Sequence, residues 1–188
     1  MDEDLISYLI TDPKYYSNNS ELFKKNLIKT LTKHTINFAC FRDKETSNFE
    51  ELAKIFIETC KEFNIEKILI NGNYELAKKL GAHGVHLTST QFNDIKIAKS
   101  LNLYTIISCH NYSDIEKAMN SHINAITYSP IYKSPNKDEP KGIDNLKQVV
   151  NIYEDVNIIA LGGIINDEQV SQIKKAKAFG FASIRYFI

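Results

Sequence analysis

Short apolar runs alternate along the chain with segments in which apolar residues recur every three to four positions. The runs are rich in aliphatic and aromatic residues, which is typical of buried strands, and the segments between them have the period of amphipathic helices. Strands are predicted over residues 6–11, 36–41, 67–71, 84–88, 104–108, 125–129, 157–161 and 181–184. Helices are predicted over residues 20–33, 48–63, 74–80, 94–101, 113–121, 144–153 and 168–178.

This alternation predicts an α/β protein with a closed (β/α)8, or TIM, barrel. An open, doubly wound sheet has the same alternation and is the alternative. No linker divides the chain, so residues 1–188 are interpreted as a single domain. The barrel would be small, and its last predicted strand ends at Ile184, close to Ile188. We therefore expect it to lack the eighth helix, with a rearranged terminus or a homo-oligomer covering the open seam.

One segment carries a specific chemical signal. The strand predicted over residues 157–161 runs into Gly162 and Gly163, and a helix-start signal follows at Asn166-Asp167-Glu168. Glycine lets backbone N–H groups approach an anion closely, and the next helix directs its positive end to the same place. The segment therefore predicts a phosphate-binding turn.

Composition narrows the class of partner. The 23 Lys and Arg residues balance the 23 Asp and Glu residues, so nothing suggests a nucleic-acid or membrane-surface partner. The acidic start of the chain and the shortness of its apolar runs predict neither a signal peptide nor a membrane span, and a cytoplasmic protein is expected. Cys40, Cys60 and Cys109 are scattered, which argues against a disulfide framework or a zinc site, and no metal ligands are predicted.

Polar residues follow the predicted strands where a barrel would place its active site. Arg42 and Lys44 follow the second strand on one face, Asn71 follows the third, and the polar loop after the sixth carries hydroxyl groups and Lys137. Cationic, amide and hydroxyl groups bind phosphate and pyrophosphate oxygens. Together with the glycine turn, they predict a site for a phosphorylated small molecule.

At this point the chain resembles the thiamine phosphate synthase superfamily, which includes the thiazole tautomerases of the TenI group. The resemblance runs in order over nearly the whole sequence. It rests on YLITD at residues 8–12, FRDK at 41–44, ING at 70–72, GVHL at 84–87, SCH at 108–110, SPIY at 129–132 with Lys137, and ALGGI at 160–164. It implies a (β/α)8 barrel that acts on the phosphorylated thiazole of thiamine biosynthesis. The reaction is either coupling of that thiazole to a pyrimidine pyrophosphate or tautomerisation of a carboxylated precursor.

The resemblance also implies roles for particular residues. The expected pyrophosphate ligands are Arg42, Lys44, Asn71 and Lys137. The backbone at Gly162 and Gly163 and after Ile184 would hold the thiazole phosphate, where Arg185 replaces a serine of the synthase pattern and would add a phosphate contact. Ser108 and Ser134 stand at hydroxyl positions of the pyrimidine and pyrophosphate pockets.

Two departures from the family pattern bear on the reaction. The synthase holds Mg²⁺ with two aspartates, and those positions are Gly72 and Gln91 here, with Asp94 three residues later as a candidate substitute. The tautomerase uses a histidine where this chain has Pro130. Another histidine would have to move the proton in that reaction.

Two histidines follow or end predicted strands and are candidates for that role. His110 lies past its strand and is expected to face the ligand, whereas His86 is interpreted as a core residue. The leading hypothesis is a metal-independent, TenI-like enzyme in which His110 transfers the proton. The alternatives are a synthase, which is a transferase, and a phosphate-ligand-binding protein without activity. In the synthase, Lys137 would help to stabilise the departing pyrophosphate, and Mg²⁺ would be the cofactor only if that activity is retained.

Overall fold

The computed structural model describes residues 5–44, 46–135 and 137–188. Eight parallel strands close into a barrel in chain order, and β8 pairs with β1. The strands are β1 (Ile6–Ile10), β2 (Phe38–Phe41), β3 (Lys67–Asn71), β4 (Gly84–Leu87), β5 (Tyr104–Cys109), β6 (Ala125–Tyr128), β7 (Ile158–Leu161) and β8 (Gly180–Ser183). The predicted barrel is confirmed, and the open-sheet alternative is wrong because hydrogen bonding continues around the ring.

Helices cover the outside of the barrel. They are α1 (Pro13–Tyr16), α2 (Ser20–Lys33), α3 (Phe49–Glu62), α4 (Tyr74–Lys79), α5 (Ile95–Ser100), α6 (Tyr112–Met119), α7 (Gly142–Ile152) and α8 (Asp167–Lys175). Seven of them match predicted helices, and α1 was not predicted because a single turn is too short to show a periodic pattern. Asp12 begins α1 by accepting a hydrogen bond from the Lys14 N–H, and Pro13 follows at its first position.

The interior and the outer shell of the barrel have separate cores because side chains alternate along each strand. Tyr8, Ile10 and Phe38 point into the barrel, whereas Leu9 packs outward against the helices. The lower part of the interior is filled largely by aromatic and aliphatic side chains. Polar side chains of β4, β5 and β6 occupy its upper part. The groups that can hydrogen-bond a ligand therefore lie near the carboxyl ends of the strands.

The residues after β8 fold back over the outside of the barrel. They form a 3₁₀ turn, Arg185–Phe187, in which the buried Phe187 ring stacks on Phe181 of β8 at 5.8 Å between centroids. The same ring meets the edge of His34, beyond the end of α2, at 5.6 Å. These contacts cover the β8–β1 seam with the chain itself, as a rearranged terminus would. Within the described ranges no helix has the length and apolarity needed to cross a bilayer.

Candidate active site

A cavity of about 520 Å³ opens at the carboxyl ends of the strands. Every residue that the sequence assigns to catalysis or substrate binding lines it: Arg42, Lys44, Asn71, Ser108, His110, Ser134, Lys137, Gly162, Gly163, Ile184 and Arg185. These residues come from six different strand ends. The structure thus brings the predicted set together, while the role of each residue remains a prediction.

Positive charge is concentrated in this cavity. Among the described residues, its lining holds five cationic side chains, Lys14, Arg42, Lys44, Lys137 and Arg185, against one carboxylate, Asp12. The chain as a whole has no net charge. Since a concave site focuses the field of the charges that line it, the cavity attracts multiply charged anions.

Arg42 is held in place from the neighbouring strand end. Its Nη1 lies 3.2 Å from Asp12 Oδ2, and its backbone N–H donates to Thr11 Oγ1 at 2.9 Å. Both charged side chains are roughly one-quarter to one-third exposed, so the ion pair orients the guanidinium without burying it. Since no other described residue hydrogen-bonds the guanidinium, its remaining N–H groups are available to bind a phosphate in a bidentate manner. Sequence reasoning assigned no role to Asp12, although its position after β1 was a usable signal.

The glycine turn after β7 is shaped by the loop beside it. Gly162 and Gly163 have φ angles of +100° and +72°. A Cβ atom at Gly162 would lie 2.9 Å from Pro130 Cα, and one at Gly163 would lie 2.6 Å from the Lys133 carbonyl oxygen. The turn therefore requires glycine for both backbone conformation and space. No described residue accepts a hydrogen bond from the backbone N–H groups of Gly162, Gly163 or Ile184, so they remain available to an anion.

The β6–α7 loop carries Ser134 and Lys137 over the cavity. At its base, Lys141 N–H donates to the Pro130 carbonyl at 2.9 Å, and Tyr132 N–H donates to the Gly162 carbonyl at 3.0 Å. Ser134 Oγ donates to the Tyr132 carbonyl at 3.3 Å. The loop is thus anchored to the glycine turn at its start, whereas the Lys137 side chain is exposed at the cavity mouth.

His110 is oriented by the end of β6. Its Nδ1 lies 3.1 Å from the Ser129 carbonyl oxygen and 3.2 Å from Ser129 Oγ, and its backbone N–H donates to Asp114 Oδ2 at 2.9 Å. A carbonyl oxygen only accepts hydrogen bonds, so Nδ1 carries the proton and Nε2 of the neutral ring has a free lone pair. No side chain described in the structure hydrogen-bonds that nitrogen. This arrangement leaves Nε2 available to accept a proton, which is the role that the sequence predicts for His110.

His86 lies under the cavity floor and is only 3% exposed. Its Nδ1 is 2.9 Å from the Tyr8 hydroxyl, and its Nε2 is 3.1 Å from Ser108 Oγ and 3.3 Å from Thr127 Oγ1. Burial lowers the pKa of His86 to about 4, with a smaller contribution from the Arg42 charge. It is buried, as the sequence predicted. In addition, both of its ring nitrogens are engaged, and one of them contacts a predicted ligand-binding residue.

The residues at the family's magnesium position do not fit that ion. Gly72 offers no side chain, and the Gln91 amide donates to the Gly72 carbonyl at 2.9 Å and to Asp94 Oδ2 at 3.0 Å. Gln91 Oε1 accepts hydrogen bonds from the backbone and hydroxyl of Thr88. Mg²⁺ prefers carboxylate oxygens, and the described ranges contain no group of three or more His, Cys, Asp or Glu residues arranged to hold a metal. Asp94 is thus part of an amide network and does not replace the two aspartates.

Asn71 also makes a structural contact. Its Nδ2 donates to the His86 carbonyl at 2.9 Å, which ties the end of β3 to β4. One amide N–H and the side-chain oxygen are left for a ligand. The side chain therefore fits the expected pyrophosphate role in a fixed orientation.

The fold and the cavity together define a (β/α)8 barrel with a cationic cavity at the carboxyl ends of its strands. The family model described as thiamine monophosphate synthase matches residues 7–187. The chain belongs to this family. The resemblance seen in the sequence is confirmed.

Individual relatives agree with this assignment. The "Putative thiamine-phosphate synthase 2" of Aquifex aeolicus is 33% identical over 187 residues, which cover 96% of each chain. The thiamine-phosphate synthase of Lactococcus lactis is 25% identical over 191 residues, covering 96% of this chain and 87% of the relative. A solved structure of thiamine phosphate pyrophosphorylase from Pyrococcus furiosus superposes with a TM-score of 0.80 at 19% identity, covering 96% of this chain and 85% of that one. At that identity the superposition shows the fold alone.

Proposed function

We propose that this protein is a transferase of thiamine biosynthesis that couples a thiazole phosphate to a pyrimidine pyrophosphate and releases pyrophosphate. The names of its relatives support this synthase alternative better than the TenI-like hypothesis that led the sequence analysis, although they do not distinguish the two. The observation that carries the proposal is the cavity itself. In a chain without net charge, it combines five cationic side chains with a glycine turn that has free N–H groups.

Two groups of lining residues suit two different anions. Arg42, Lys44 and Lys137 would bind the pyrophosphate, whose several charged oxygens match several cations. Gly163, together with the chain after Ile184, would bind the single phosphate of the thiazole through backbone N–H groups. A volume of about 520 Å³ lies within the usual range of small-molecule sites, roughly 300–1,000 Å³.

The same cations would promote cleavage of the C–O bond that links the pyrophosphate to the pyrimidine. Negative charge develops on the pyrophosphate as its C–O bond to the pyrimidine carbon opens, and Arg42, Lys44 and Lys137 would stabilise that charge. The thiazole nitrogen then donates its lone pair to the pyrimidine cation, which forms the new C–N bond. The products are thiamine phosphate and pyrophosphate, and no step requires a protein group to remove a proton.

A second candidate function rests on His110. The Ser129 carbonyl fixes the Nδ1 proton, so Nε2 is a base with a defined direction. Such a group could move one proton between ring positions of a carboxylated thiazole phosphate, which is the tautomerase reaction. Pro130, at the position of the family's histidine, offers no group that can transfer a proton.

Direct assays separate the candidates. The purified protein is incubated with pyrimidine pyrophosphate and thiazole phosphate, with and without Mg²⁺, and thiamine phosphate is measured. The expected result is that the wild type forms thiamine phosphate. The double variant Arg42→Ala, Lys44→Ala should form much less of it. Turnover of the carboxylated thiazole phosphate alone, lost in His110→Asn, would replace the transferase by the tautomerase. Tight binding of thiazole phosphate without turnover in either assay would identify a binding protein.

A further inference from the structure

The barrel interior contains a chain of hydrogen-bonded side chains that the proposed reaction does not use. It runs from Tyr8 through His86 to Ser108 and Thr127. Tyr8 and Thr127 have no exposed surface, whereas Ser108 is half-buried and lines the cavity. Ser108 is therefore the member through which this chain reaches a ligand.

The direction of the protons follows from the buried phenol. The Tyr8 O–H must donate, because a buried hydroxyl hydrogen without an acceptor is costly. Its neighbours are His86 Nδ1 at 2.9 Å and the Cys40 thiol, which itself donates to the Phe41 carbonyl. Thiol sulfur is a weak acceptor, so the imidazole nitrogen receives the hydrogen bond. Burial raises the pKa of Tyr8 well above its ordinary value of 10.0, which keeps the phenol protonated.

With Nδ1 as acceptor, the neutral imidazole of His86 carries its proton on Nε2. That N–H points to Ser108 Oγ at 3.1 Å, and the Thr127 hydroxyl lies 3.4 Å from the same oxygen as a second donor. Two donors thus occupy the lone pairs of Ser108. Its own O–H is left to point into the cavity.

We propose that Tyr8 and His86 are positioning residues that fix Ser108 as a hydrogen-bond donor toward the ligand. The cavity then selects an acceptor at this point, such as a ring nitrogen without hydrogen or a phosphate oxygen. If the imidazole proton were on Nδ1, the Ser108 hydroxyl would instead donate to Nε2. Its oxygen would then face the cavity as an acceptor and select a ligand with an N–H group. The nature of the ligand rests on the proposed function, but the proton pattern does not.

The proton pattern can be measured without any ligand. Nitrogen-15 NMR of histidine-labelled protein distinguishes the two imidazole tautomers. The expected result is that His86 is protonated on Nε2 in the wild type, and that Tyr8→Phe removes this preference. Tyr104→Phe is the matched control, because it deletes another phenol of the barrel interior that has no contact with His86 in the described structure. Protonation on Nδ1 in the wild type would overturn the proposal.

The consequence for binding is tested with pyrimidine pyrophosphate as the probe. Tyr8→Phe should weaken its binding about tenfold, the effect of one hydrogen bond. His86→Gln places an amide N–H where Nε2–H stands and should stay within about threefold of the wild type, whereas His86→Leu should lose about tenfold or more. Equal losses in the Gln and Leu variants would contradict the positioning role. If the wild type does not bind the probe, the proposed function fails, and the measured tautomer still decides the inference.

Discussion

The buried side of the cavity and its exposed mouth prepare for a ligand in different ways. On the buried side, the Gly163 turn is pressed against the β6–α7 loop, and His86 is hydrogen-bonded through both ring nitrogens. At the mouth, Lys44 and Lys137 are exposed and Arg42 is held by a single ion pair. The buried side therefore contributes geometry that exists before binding, whereas the mouth contributes charge on side chains that binding must order.

The largest expected effect is that of Gly163→Ala on the buried side. A methyl group there would lie 2.6 Å from the Lys133 carbonyl oxygen at a φ of +72°. The free energy of unfolding should fall by about 2–4 kcal/mol through strain and overpacking. Affinity for thiazole phosphate should fall about 100-fold, because the N–H groups move. Denaturant unfolding and calorimetric titration measure the two effects.

Gly81→Ala is the matched control for this prediction. Gly81 also has a positive φ, +68°, but a Cβ there meets nothing within 4 Å. The free energy of unfolding of this variant should fall by only about 1 kcal/mol, because of the left-handed backbone conformation. Its affinity for thiazole phosphate should not change. Equal losses in the two variants would show that packing against the loop does not set the turn.

The buried side should also respond to pH through His86. Its pKa is lowered from 6.5 to about 4 in the folded state, so the unfolded chain takes up this proton first as the pH falls. Stability from this residue is fully present above pH 6.5, declines between pH 6.5 and pH 4, and levels off below. The decline should amount to at most about 3 kcal/mol. Urea unfolding of the wild type and His86→Gln from pH 7 to pH 4 measures the difference, and a difference that stays constant with pH would contradict the prediction.

At the mouth, Arg42→Ala should weaken binding of inorganic pyrophosphate by about 10–100-fold, the effect of charged hydrogen bonds. Thiazole phosphate should be affected much less, since the proposal places it at the glycine turn and not beside Arg42. Titration of both ligands into the Arg42→Ala variant compares the losses of affinity at the two proposed anion sites directly. Equal losses for both ligands would mean that the cavity has one anion site and not two.

Lys44→Ala should have the smallest effect, about 3–10-fold on pyrophosphate affinity, because the exposed ammonium group is well hydrated. The effect should shrink as salt is added. Lys54→Ala on the outer surface of α3 is a suitable control, as its ammonium is solvent-exposed beside Glu58 and outside the cavity lining. Unchanged affinity in both the Arg42 and Lys44 variants would place the pyrophosphate site elsewhere.

The strands could be predicted because barrel strands are buried on both faces and appear as apolar runs. Residues 158–161, for example, are all apolar and form β7. Elements too short to show a periodic pattern of apolar residues, such as α1, could not be predicted. The helix predicted from residue 113 begins at Tyr112, because the Asn111 side chain caps it. Element types follow from composition over many residues, but boundaries depend on single hydrogen bonds.

The site was predictable where strand order alone brings residues together. Arg42 and Gly163 follow their strands and Asn71 ends its strand, so barrel closure is enough to place the three residues in one cavity. Contacts set by side-chain direction could not be predicted. Tyr8 reaches His86 across 78 positions of sequence, and nothing local to either residue indicates the other.

The uneven distribution of charge has a consequence beyond contact distance. In the described lining, five cationic side chains and one carboxylate lie around one opening of a chain whose opposite charges balance, so carboxylates are in excess outside that lining. The cavity opening is therefore more positive than the rest of the molecule. The electric field at the opening should orient a phosphorylated molecule and attract it before it touches the protein. Its association rate should therefore increase as the ionic strength is lowered.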